Sequence, residues 1–180
     1  MFKKIIVALL IAVSFLPTSS AVASSHGKTL SNLNSSDIMF AQMMIPHHQQ
    51  AIDMSKYALK NSSNKEIIAL AKAISSAQGK EIAQMKYWLT ATKSPATMGH
   101  HMDMNGMISE KQMKAFSTLK GAKFDEAFLS AMIEHHQGAL EMVDLLKSTK
   151  NAEAKKLAKD VLRVQKVEIA SMKKLLVKIA

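Results

Sequence analysis

Two stretches of the chain carry the same donor atoms at the same spacing. "MIPHHQQAIDM", from Met44 to Met54, and "MIEHHQGALEM", from Met132 to Met142, each set a methionine ahead of two adjacent histidines and a second methionine behind them. The histidines are His47 and His48 in the first stretch and His135 and His136 in the second. Imidazole nitrogen and thioether sulfur are metal-ligating groups, and softness decides which ion they suit. In a chain without cysteine, thioether combined with imidazole favours copper, above all Cu(I), whereas imidazole alone would also take zinc, nickel or Cu(II). A di-iron bundle would place a glutamate three residues before the histidine. This chain has Met44 and Met132 there.

These residues must share a helix face to act together. At about 100° per residue, Phe40, Ile45, Ala51, Ile52 and Ala58 define one apolar arc, with Asp37, Met44, His48 and Ser55 near its centre and His47 and Met54 at its inward edge. The same arithmetic places Asp125, Met132, His135, His136 and Met142. A carboxylate or imidazole on a core face is costly unless it is partnered. A lone histidine there is ordinarily a satisfied core residue, and a methionine stripe is ordinarily packing. Polar residues at equivalent core positions of two helices should instead meet in one interior, which points to a metal site. Glu81 and Glu168, each four residues before a methionine on the following helices, are candidates to orient the imidazoles from behind, as are Asp37 and Asp125. The alternative for both glutamates is an ordinary solvated surface.

Two further candidates have less defined geometry. "MGHHMDMNGM", residues 98 to 107, brings His100, His101, Met102 and Met104 into a segment with no helical period; it reads as a copper-capture segment or as an ordinary loop. Cleavage after Ala23 would leave Ser24-Ser25-His26, whose free amine, amides and His26 imidazole suit square-planar Cu(II) or Ni(II).

The elements follow from a duplication. The sequence beginning at Asp37 recurs at Asp125, 88 residues on, and "LAKAISSAQGKEIAQMK" from Leu70 recurs at Leu157 with an offset of 87, so the chain contains an internal repeat. Repeat one covers about 36–91 and repeat two about 123–179, joined by a His/Met-rich connection and a short helix over about 92–121. Each repeat reads as a helical hairpin: Ser36 to Lys60 and Asn64 to Ala91, then Lys123 to Ser148 and Asn151 to Ile179. Ser63 with Glu66, and Ser109 with Gln112, are candidate capping boxes. Pro46 falls inside the first helix, where it removes the bond to the Gln42 carbonyl and should bend the axis. No stretch alternates with period two, so the expected fold is all-α: two hairpins, each too small to bury its own face, paired in a four-helix bundle.

Residues 1–23 have Lys3 and Lys4, an apolar run from Ile5 to Leu16 and then Ala21-Val22-Ala23. That is the order of a cleavable signal peptide, too short to span a bilayer. Cleavage leaves a single domain, 24–180, with no stable membrane insertion expected. Losing the two lysines lowers the formal charge from +10 to +8. The remaining lysines are scattered, so they read as a solvated surface, and nucleic acid is not an expected partner.

The doubled "MIxHHxxAxxM" helices resemble the CopM-like bacterial family, long catalogued as a domain of unknown function. The resemblance covers essentially the whole mature chain. It implies a ferritin-like bundle, export to the periplasm, and copper binding and tolerance through Met44, His47, His48, Met54, Met132, His135, His136 and Met142. The function expected is therefore a non-enzymatic one: sequestering copper or handing it to an exporter or a periplasmic carrier. The rivals are a ferritin-like metal-dependent oxidoreductase, which would need a carboxylate-rich open site, and a metal-free interaction module.

Overall fold

The computed structural model describes residues 30–99 and 104–179, and every regular element among them is helical. The leader, His26, His100, His101 and Met102 lie outside the described residues. Four long helices make two hairpins: α1 (Ser35–Asn61) with α2 (Lys65–Ala91), and α4 (Gly121–Met142) with α5 (Ala152–Ile179). The short α3 (Glu110–Thr118) lies in the connection. Contacts are densest within each hairpin, and α1 against α4 forms the main junction between them.

Helix ends follow local chemistry. Asn34 and Asp37 form a reciprocal capping box on α1, with bonds of 2.9 and 3.0 Å. Ser109 and Gln112 do the same for α3, as their spacing predicts. At α2 the expected Ser63–Glu66 box is replaced by Asn64, whose side chain accepts the Glu66 amide at 2.9 Å while Ser62 accepts the Asn64 amide. The helix starts at Lys65, so Asn64 is the residue adjoining the unsatisfied amides. The expected helix to Ser148 stops at Met142 and tightens into a 3-10 turn, Val143–Leu146. The three-residue period aligns Val143 with Leu146, and both are buried. Through Pro46 the helix α1 runs unbroken, with the ring exposed.

The core has two apolar halves. One gathers Ala51, Met54, Ile67, Ile74, Phe124, Phe128, Met132 and Met172; the other gathers Phe40, Met44, Met85, Trp88, Met142, Val143 and Leu157. On each long helix the passage from one half to the other is polar. It occurs at His47 and His48 on α1, Gln78 and Glu81 on α2, His135 and His136 on α4, and Gln165 and Glu168 on α5. Helix periodicity alone would allow apolar residues at those inward-facing positions. The chain instead puts two polar residues from every long helix between two hydrocarbon cores.

Candidate metal centre

All four histidines are fully buried. His48 Nε2 lies 2.7 Å from Glu81 Oε2, and His136 Nε2 lies 2.8 Å from Glu168 Oε2. The carboxylates reach inward from the second helix of each hairpin and stay partly open to solvent, with side chains 17% and 15% exposed. The inner pair differs. His47 Nε2 meets the backbone carbonyl of Asn105 at 3.2 Å, and His135 Nε2 meets the carbonyl of His47 at 3.0 Å. A carbonyl only accepts, so Nε2 donates in both rings and Nδ1 carries the lone pair. The two rings are 3.8 Å apart between centroids, tilted by 35°.

Nδ1 of all four histidines is buried with no hydrogen-bond partner among the described residues. A buried imidazole nitrogen left bare costs free energy. Four lie at equivalent positions of two repeats, each with its opposite nitrogen tethered. That pattern of ligating nitrogen and anchored far nitrogen is how proteins fix a metal-binding imidazole. Burial lowers the pKa of His47 to about 3, with the neighbouring His48 ring acting in the same direction and the Asn105 bond opposing it. His135 is likewise held well below its usual value by burial, then by the His47 ring. Both rings are therefore neutral at ordinary pH, and an ion need displace no proton from them.

Methionine sulfurs flank this layer. Met44 and Met132 are fully buried one turn before each histidine pair, and Met54 and Met142 are buried in the apolar halves beyond. Asp37 is buried, but its carboxylate closes the α1 capping box instead of meeting an imidazole. Asp125 sits near the start of α4, 6% exposed, far along the helix from His135. Met104 lies at the rim, half-buried against the second apolar half. Among the described residues, no group of three or more His, Cys, Asp or Glu side chains converges as a ready-made metal site, the four histidines included, so any ion held here would draw on the flanking thioethers as well.

Three features of the layer are not among the sequence expectations: two buried glutamines, and the connecting segment's role as a cover. Gln78 and Gln165 are 3% and 2% exposed, and both amide atoms of each lack partners among the described residues. They match across the repeat at the 87-residue offset, which is the signal that marks them. The third is the connecting segment that covers His47. Gln50 pairs with Ile108 through two bonds of 2.8 Å, Asn105 Nδ2 donates to Glu141 at 2.7 Å, and the Asn105 carbonyl settles against Gly138. A Cβ at Gly138 would lie 1.8 Å from that carbonyl oxygen. The first repeat has Gln50 at the position of Gly138, so one half clamps the segment and the other makes room for it.

The comparisons agree with this architecture. A family model described as a domain of unknown function, DUF305, matches residues 37–176. No curated protein matches the chain. Among solved structures, a DUF305 fragment from Deinococcus radiodurans is 30% identical with a TM-score of 0.74, over 81% of this chain and 97% of that one. CopM in its Cu(I)-bound form is 38% identical, TM-score 0.65, over 77% of this chain and 94% of that one. CopM in its Cu(II)-bound form is 36% identical, TM-score 0.70, over 80% and 97%. With the family model spanning both hairpins and the paired histidines in each, this chain belongs to the DUF305 family and is CopM-like within it.

Proposed function

We propose that this protein is an exported copper-binding protein that holds soft, monovalent copper in the polar layer and sequesters it or passes it on, contributing to copper tolerance. The observation that carries the reading is the set of four buried Nδ1 atoms without partners, their rings anchored through Nε2. His47, His48, His135 and His136 are the nitrogen ligands, Met44 and Met132 the nearest thioethers along each helix, and Glu81 and Glu168 orient the outer rings. Low-coordinate Cu(I) suits such neutral nitrogen and sulfur donors. CopM structures with Cu(I), Cu(II) and silver bound support copper as the ion. Four long helices sharing one interior support a ferritin-like bundle. The leader-like residues 1–23 support export to the periplasm, where an exporter or soluble carrier would receive the ion. Release occurs by ligand exchange, with no turnover.

The test is copper content and competition with a chromophoric Cu(I) chelator, on mature protein and on the variant with His47, His48, His135 and His136 changed to alanine. Tight binding is lost in the variant while circular dichroism shows its helices intact. Undiminished binding would move the site to the 98–107 segment or to His26. Oxygen or peroxide turnover by the copper-loaded protein would favour a ferritin-like oxidoreductase.

A further inference from the structure

Apart from Met39 on α1, which is half-buried and corresponds to Ala127 in the repeat, the methionines of the described residues form two groups. The buried ones come in repeat pairs: Met44 with Met132, Met54 with Met142, and Met85 with Met172. Core packing copied by a duplication produces that pairing. A second set, Met43, Met98, Met104, Met107 and Met113, belongs to no such pair: Met43 corresponds to Ala131, and the other four lie in the connection between the repeats. All five are half-buried, and all five line one cleft of about 1020 Å³ between α1, the connecting segment and α3. Met113 packs against one apolar half and Met43 and Met104 against the other, but duplication accounts for none of the five, and their shared opening onto one cleft is left to explain.

We infer that this cleft is a second soft-cation site, separate from the histidine layer, which takes monovalent copper or silver through thioether sulfur. Sulfur is the one donor the five side chains share, and they approach from three different elements. Neutral thioethers select soft monovalent ions over the harder divalent ones. Asp53 and Glu110 on the same walls add negative charge in a chain of net charge +10, although Asp53 is also paired with Lys56 at 2.7 Å. An apolar peptide would gain nothing from those carboxylates. The cleft is also next to the cover of the inner site, because Asn105, whose carbonyl meets His47, lies between Met104 and Met107. Its service as the entrance to the histidine layer rests on the function proposed above; its affinity for the ion does not.

The experiment uses the full chain with carbon-13 methionine methyl groups, titrated with silver nitrate in chloride-free buffer. The methyl resonances of Met43, Met98, Met104, Met107 and Met113 shift and saturate. In the variant M43L/M104L/M107L/M113L, whose leucines keep the volume and hence the fold, silver affinity at the cleft falls about tenfold or more, or ~1.4 kcal/mol. Imidazole resonances still respond in that variant. Cleft methyls that stay in place while imidazoles shift would overturn this inference and leave the histidine reading standing. Shifting cleft methyls with silent imidazoles would uphold it and sink the other. An unchanged isotherm in the leucine variant would also overturn it.

Discussion

Acidifying the metal-free protein should destabilise it in a window set by the inner histidines. In the unfolded chain His47 takes up a proton near its usual value of 6.5, while in the native state burial holds it neutral down to about 3. Above 6.5 neither state binds the proton and the native state incurs no penalty. Below 6.5 the unfolded chain gains a proton that the folded chain cannot accept, so stability is lost as pH falls from 6.5 towards 3. Between about pH 7 and about pH 5 the loss from His47 alone is ~2 kcal/mol, since each unit below the unfolded pKa costs about 1.4 kcal/mol. His135 is shifted in the same direction by the same burial and adds to the loss. Against a typical total of about 5–15 kcal/mol this is a large fraction. Urea unfolding followed by circular dichroism at the two pH values measures it. The control is His47→Gln, which keeps a donor for the Asn105 carbonyl but cannot titrate, so its pH dependence should be shallower by about one proton. Equal stability of the metal-free protein at both pH values, or an undiminished slope in the control, would refute the assignment of a buried, neutral His47.

Other outcomes follow from the same geometry. Glu168→Ala removes the acceptor that holds His136 and should weaken copper binding about 10–100-fold in chelator competition, with Glu81→Ala acting likewise through His48. Gly138→Ala puts a methyl group onto the Asn105 carbonyl. It should cost about 1–3 kcal/mol and speed amide hydrogen exchange at Asn105 and Gly106, with the helices of the second hairpin less affected. Gln50→Ala strands the buried Ile108 backbone and should lower stability by about 1–3 kcal/mol in the same urea assay.

Much of this molecule was legible in the sequence because helices obey a local period. A repeat of 88 residues and 100° per residue were enough to predict two hairpins, turn His47, His48, His135 and His136 inward, and name Glu81 and Glu168 as candidates to stand behind them. The Ser109–Gln112 cap was legible for the same reason, since its partners are three residues apart. Asp37 shows where a face assignment runs short: its inward position was right, but the neighbour that uses its carboxylate is Asn34, in the turn before the helix.

Tertiary structure alone decided what each imidazole nitrogen meets. The periods of α1 and α4 are the same, yet His47 is held by a loop carbonyl 58 residues away and His135 by the backbone of His47 itself. The connecting segment has no period to read, and it breaks the symmetry of the two repeats by covering one half, clamped by Gln50 and admitted by Gly138. The sequence by itself determined which residues face inward, because that depends on spacing along one chain segment. The bare Nδ1 atoms, the distance between the inner rings and the methionine cleft arise only when segments far apart in sequence are packed together.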